Sequence, residues 1–224
     1  MEEKTKNQAA PSMEESLNQS EAFFLKYKNA IIGCVVAVVV IVGCIVCYKT
    51  YVSEPNEQKA STAIAKCQEL FQNQQYEQAL NGDSVTAGFL SIAEQYSSTD
   101  AGNLANLYAG LCYANTDNWE EAAKYLEKFD EAGDQMISPA ALGALGNAYA
   151  HLDQLDKAVS TLTKAAEKAD NNTLSPTFLI QAGQILEKQG KKSDALKLYQ
   201  QIKEKYFQSM QYQTIDKYIE RVSE

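Results

Sequence analysis

Apolar residues follow two different patterns along the chain. In the stretch "NAIIGCVVAVVVIVGCIVCYKT", Asn29 to Thr50, they are continuous, and no charge falls between Ala30 and Tyr48. Beyond residue 54 they return at three- and four-residue spacing, the period of one helix face. A helix rising about 1.5 Å per residue carries the first stretch about 28 Å, close to the roughly 30 Å hydrocarbon core of a bilayer. Val and Ile are mediocre helix formers in water. In lipid, however, the backbone must satisfy its own hydrogen bonds, so the helix wins. Tyr27, Tyr48 and Tyr51 bracket the run as interfacial aromatics, and Lys26, Lys28 and Lys49 can reach the headgroups.

Two rivals to a permanent anchor exist. A cleaved signal normally has an apolar region of about 7–15 residues close to the N-terminus. This run is longer, starts after residue 29, and has no clear small-x-small site behind it. "IVGC", Ile41 to Cys44, is similar to a bacterial lipoprotein box, but the run stays apolar through Ile45, Val46 and Cys47. These features predict a transmembrane helix over residues 30–49. Lysines on the two sides are too evenly shared for the positive-inside rule to orient it. The polar residues 1–29 are expected to form a disordered tail, because the stretch Met1 to Ser20 shows no apolar periodicity.

The second pattern is a repeat. "LYAGLCYANTDNWEEAAKYLEKF", "ALGALGNAYAHLDQLDKAVSTLTKA" and "FLIQAGQILEKQGKKSDALKLYQQI" align without gaps that matter. Each has a glycine with a large apolar residue three positions on: Gly110 with Tyr113, Gly146 with Tyr149, Gly183 with Leu186. Twelve residues after the glycine stands an alanine (Ala122, Ala158, Ala195), and four later a large residue (Leu126, Leu162, Tyr199). The glycines are 36 and 37 residues apart. Small residues mark where two antiparallel helices approach, large ones fill the space beside them, and a polar break makes the turn. A single hairpin cannot bury its own apolar face, so such hairpins stack.

A weaker copy comes first. In "ASTAIAKCQELFQNQQYEQAL", Cys67 takes the glycine position, Leu70 the next and Ala79 the alanine position, with Tyr76 matching Trp119. "NGDS" then interrupts, which predicts an insertion that splits or extends the second helix. "DEAGDQMISP" and "DNNTLSP" read as inter-repeat loops, with Pro139 and Pro176 in the first turn of the next helix. Near the C-terminus, Ile215, Tyr218, Ile219 and Val222 share one face, as a capping helix requires.

These residues resemble the tetratricopeptide repeat. The resemblance implies an all-α fold: a single N-terminal transmembrane helix followed by a right-handed α-solenoid with a C-terminal capping helix. The repeat domain is expected over 54–224, with repeats at 60–97, 103–136, 139–172 and 176–207 and the cap at 209–222. The layout also resembles small single-pass repeat proteins of Bacteroidota and the ancillary subunit of the bacterial Sec translocon. That likeness implies a bacterial inner-membrane protein with a cytoplasmic N-terminus and a periplasmic repeat domain near the export machinery.

Charge and chemistry narrow the picture. The net charge is −9, nearly all of it beyond the apolar run, which argues against nucleic acid. His151 is the only histidine, and of five cysteines only Cys67 and Cys112 lie outside the apolar run. No metal spacing, phosphate loop or catalytic set appears, so no enzyme, cofactor or small-molecule substrate is expected. Both cysteines read as packing residues, with a Cys67–Cys112 bridge as the lesser alternative. "DSV" at Asp83 to Val85 is similar to a short O-glycosylation site.

Function should then reside in the groove that the first helix of each hairpin would line. The candidate groove positions are Ile64, Gln68, Leu107, Leu111, Asn147, His151, Ile180 and Gln184. Repeat modules that clamp a C-terminal carboxylate present Lys, Asn and Arg here. Ile64, Gln68, Leu111 and Ala144 depart from that, and only Asn147 fits. An extended or helical peptide with apolar anchors suits the set better. The protein partners expected are translocon or envelope proteins. Self-association or bridging within a division or outer-membrane assembly complex is the alternative.

Overall fold

A computed structural model describes residues 13–223. The chain divides into two compact units, residues 1–55 and 56–224. Within the first, α1 runs from Met13 to Tyr48 and is followed by a π-helical turn, Lys49–Ser53. One window of this helical region has a mean hydropathy of 3.2 and none of it is buried, so it is long and apolar enough to cross a membrane. The apolar run therefore sits inside a longer helix than residues 30–49. Residues 13–29, expected as part of an unstructured tail, are helical: Glu, Leu, Gln and Ala propagate a helix readily once the apolar segment nucleates it. The expectation for residues 1–12 lies outside the described residues.

The second unit is a series of antiparallel helical hairpins. Helix α2 (Glu54–Gln72) pairs with α3 (Tyr76–Asn81) and α4 (Phe89–Gln95). Then come α5 (Asp100–Asn115) with α6 (Trp119–Glu127), and α7 (Ile137–His151) with α8 (Leu155–Ala169). The last hairpin is α9 (Ser175–Lys188) with α10 (Lys192–Lys205), closed by α11 (Ile215–Ser223). Every named element among the described residues is helical, and only an isolated bridge joins Gly82 to Ala87. First helices begin one to six residues before the expected repeat limits, and the cap's α-helix starts later, after a 3-10 turn at Gln211–Gln213.

The glycines sit where the pattern requires. A Cβ on Gly110 would lie 2.6 Å from Leu126 Cγ, and one on Gly146 would lie 2.7 Å from Leu162 Cγ. One on Gly183 would enter the ring of Tyr199. In each case the obstructing residue is the large apolar one sixteen positions on, and Ala122, Ala158 and Ala195 are wholly buried between them. The four intra-hairpin turns are identical in construction. Residues Gln74, Asp117, Asp153 and Gly190 take positive φ. The N–H groups of Gln75, Asn118, Gln154 and Lys191 donate at 2.9 Å to the carbonyls of Leu70, Tyr113, Tyr149 and Leu186.

Packing is serial, as expected of a solenoid. One core joins Cys67 and Phe89 to Ala105 and Cys112, a second joins Leu107 and Leu126 to Leu145, and a third joins Leu162 and Leu179 to Tyr199 and Ile215.

Candidate functional site

A cleft of about 470 Å³ opens between α7, α9 and α11. Asn147 and Ala150 line one wall, Gln181, Gln184, Ile185 and Lys188 another, and Glu187 with Arg221 closes the end. Helical spacing explains the middle wall: Gln181, Gln184 and Lys188 fall on one stripe of α9, while Ala182, Gly183 and Leu186 face the buried side.

Amides give the cleft its hydrogen-bonding character. Asn147, Gln181 and Gln184 each offer both a donor and an acceptor. Gln181 Oε1 is buried and receives no hydrogen bond from the protein. Such an amide set suits the alternating N–H and C=O groups of a peptide backbone. The charges at the end are partly spent: Arg221 donates twice to Glu187, at 2.7 Å each, and Tyr199 donates its hydroxyl to the same carboxylate. The guanidinium beside it holds the Glu187 carboxyl below the usual carboxylate range. Burial, followed by that carboxylate, pushes the Tyr199 hydroxyl up. The capping helix is thereby tied to α9 and becomes part of the cleft.

The structure brings together only two of the eight expected groove residues, Asn147 and Gln184. Ile64 and Leu107, expected to be exposed, are buried at 5% and 7%. Both are apolar side chains on the shoulder of a first helix, where the neighbouring hairpin covers them. Leu111 and Ile180 are half-buried against the cores, and Gln68 is half-buried on α2. His151 does not stand free in a groove. Its ring stacks on Trp119, with centroids 3.7 Å apart and planes 5° from parallel. The repeat pattern does not mark Gln181, Glu187 or Arg221 as groove residues. The position of Arg221 on the polar side of an amphipathic cap was the one available signal.

Chemistry elsewhere is muted. Cys67 and Cys112 are free, wholly buried thiols, which removes the alternative of a bridge. Burial pushes them up to about 11 and about 12, so both are protonated at neutral pH and unreactive. No group of three or more His, Cys, Asp or Glu among the described residues is arranged to hold a metal. Asp83 accepts from the N–H groups of Val85 and Thr86 at 2.8 and 2.7 Å, which shapes the exposed tip holding Ser84.

A family model described as a tetratricopeptide repeat-like domain matches residues 21–217, taking in the apolar helix as well as the repeats. Among curated proteins none matches. Similar solved structures include two crystal structures of a Podosopora anserina putative kinesin light chain with nearly identical TPR-like repeats, one of them a variant. Each is 14% identical with a TM-score of 0.54, covering 74% of this chain and 85% or 86% of its own. At that identity the likeness concerns the fold alone.

Proposed function

The chain belongs to the tetratricopeptide repeat-like family, and on that premise we propose that it is a membrane-tethered scaffold for protein partners at the bacterial cell envelope. The observation that carries this is the wholly unburied apolar window, covalently continuous with a repeat array of a kind whose usual work is protein interaction. In this reading α1 spans the inner membrane once, with the N-terminus in the cytoplasm and the repeats in the periplasm. The partner is an extended or helical segment of an envelope protein, met beside the export machinery. It lies along the cleft of Asn147, Gln181 and Gln184, with its backbone on the amides and its end near Lys188. Tethering raises the local concentration of each component, so modest affinity suffices. Binding is the work assigned to the cleft.

Photo-crosslinking in native membranes tests this, with a photoreactive residue replacing the exposed Gln184. Crosslinks to translocon subunits or to emerging envelope proteins, in a membrane fraction resistant to alkaline extraction, are the expected result. Crosslinks only between copies of the chain would turn the reading toward a structural assembly. Release of the chain by alkaline extraction would sink the tether.

A further inference from the structure

The two edges of the repeat array differ in chemistry. Each first helix and the cap begin at one edge, and each intra-hairpin turn lies at the other. Hydrogen bonds stitch the first edge together. The Glu57 carboxylate accepts from the N–H groups of Asp100 and Ala101 at 2.7 and 3.0 Å. Asn103 exchanges two 2.8 Å bonds with the backbone of Asp130. The Asn171 amide donates to the Gln135 carbonyl at 3.1 Å, and Gln211 donates to Thr177 at 2.9 Å. The starts of α2, α5, α7, α9 and α11 therefore share one border.

That border collects the exposed apolar side chains. Among the described residues beyond residue 55, six large hydrophobic ones are exposed, and five of them are here: Met136 at 55%, Ile137 at 51%, Phe207 at 61%, Met210 at 85% and Tyr212 at 39%. The sixth, Val85, is on the insertion. The opposite border carries Gln74, Asp117, Asp153 and Gly190 at its turns, and none of the six.

We propose that this border rests on the lipid surface, with Met136, Ile137, Phe207, Met210 and Tyr212 inserted at the level of the headgroups. The inference rests on α1 spanning the membrane. The occupant follows from the length of the connection. Tyr48 ends α1, and Asn56, at the border, follows eight residues later. As helix, those residues rise about 12 Å. The headgroup layer on each side of a bilayer is itself about 5–8 Å deep. Chain length alone thus keeps Asn56, the border's first residue, close to the layer where Tyr, Phe and Met partition well.

Four lysines near it are neutralised by acids. Lys164 and Lys168 pair with Glu131, Lys205 pairs with Asp170, and Lys203 pairs with Asp216. The attraction proposed is that of the apolar side chains, so it should need neither anionic lipid nor low salt.

Lipid quenching of tryptophan decides the matter. The full chain with Trp119→Phe, carrying Met136→Trp or Met210→Trp, is reconstituted in phosphatidylcholine vesicles with and without bromine on the upper acyl chains. A control carries Gln75→Trp on the opposite border. Both border probes should emit at shorter wavelength and lose much of their intensity in brominated vesicles, unchanged by salt or by added phosphatidylglycerol, while the control is not quenched. Flotation of the same samples separates the two readings. Protein that floats with the vesicles but has unquenched border probes overturns the resting edge and leaves the tether intact. Protein that fails to float overturns both. A blue shift without quenching means that protein, not lipid, covers the border, which also overturns the proposal.

Discussion

The first hairpin and the three that follow solve the same packing problem with opposite residues. In the regular hairpins a missing side chain at Gly110, Gly146 or Gly183 admits the large residue sixteen positions on. In the first, that partner position falls on Asp83, inside the exposed insertion. The chain there folds back through the Gly82–Ala87 bridge, and Cys67 donates its thiol to the Ala87 carbonyl at 2.7 Å. A Cβ on Gly88 would collide with the backbone of Asn81 and Gly82, so the return path is tight. The lesson is that the repeat constrains the volume at a helix crossing, not the residue. A glycine facing a side chain and a thiol facing a carbonyl are two ways to fill the same space.

Exchange of residues should break that comparison most visibly. Gly183→Cys or Gly146→Cys forces a side chain into Tyr199 or Leu162, both wholly buried, and overpacking of this kind costs about 1–3 kcal/mol. Part of that, about 0.5–1 kcal/mol, is returned by removing glycine from a helix interior. Cys67→Gly acts with no such return: it empties a filled site, adds a helix-interior glycine and orphans the Ala87 carbonyl, at about 2–3 kcal/mol. Thermal unfolding of the purified chain should fall in both directions of exchange. A rise for Cys67→Gly would show that the first hairpin is a regular one with a tolerated thiol.

The three regular hairpins were legible because their signals are steric and local. Gly110, Ala122 and Leu126 stand at spacings with one geometric meaning, and the copies at Gly146 and Gly183 repeat it. The insertion after Asn81 was legible as a break in that spacing. The groove was not, because helical periodicity tells which residues share a face but not how far the neighbouring hairpin covers it. Ile64 and Leu107 were lost to burial for that reason, whereas Asn147 and Gln184 lie further round their helices. The stack of His151 on Trp119 joins residues near the turns of successive hairpins, and single-repeat reasoning does not see across that gap. The length of α1 is not legible, because a lack of apolar periodicity in Met1 to Ser20 does not prevent a helix from continuing out of the apolar run, and Met13–Tyr48 is one element.

A middle-sized effect should sharpen the comparison at the helix starts. The start of α5 is held by Thr99 and by Glu57 from the first hairpin, a long-range clasp. The start of α7 is held locally: Asp134 accepts from Met136 and Ser138 N–H groups at 2.8 and 3.2 Å. The Ser138 hydroxyl, then these backbone donors, hold the Asp134 carboxyl down at about 2. Its folded-state value lies below the unfolded one, so its contribution is complete above about pH 4 and fades as pH falls toward 2. Asp134→Ala should cost about 1 kcal/mol at neutral pH, as lost helix caps do. Thermal melts at pH 7, 4 and 3 should show the difference from the parent chain shrinking with acid. Glu57→Ala should instead speed hydrogen exchange at Asp100 and Ala101, with α2 loosened as well.

The smallest effects belong to the turns, where the comparison should vanish. Gln74, Asp117, Asp153 and Gly190 share φ values of 60°, 58°, 57° and 73°, so the first hairpin turns like the others despite its insertion. Left-handed backbone costs an L-residue roughly 1 kcal/mol, less where a short polar side chain can bond locally. Gln has no such help, so Gln74→Gly should stabilise by about 1 kcal/mol, and Asp117→Gly and Asp153→Gly by only a few tenths. Gly190 has open space around a notional Cβ, so Gly190→Ala should destabilise by about 1 kcal/mol through backbone strain alone. Melting of the four variants ranks them directly. The same order, with Gln74→Gly highest and Gly190→Ala lowest, means that the turn is a shared device. Failure of Gln74→Gly to stabilise would mean that the first turn is held by its insertion, and the difference between the hairpins would then reach both ends of the helices.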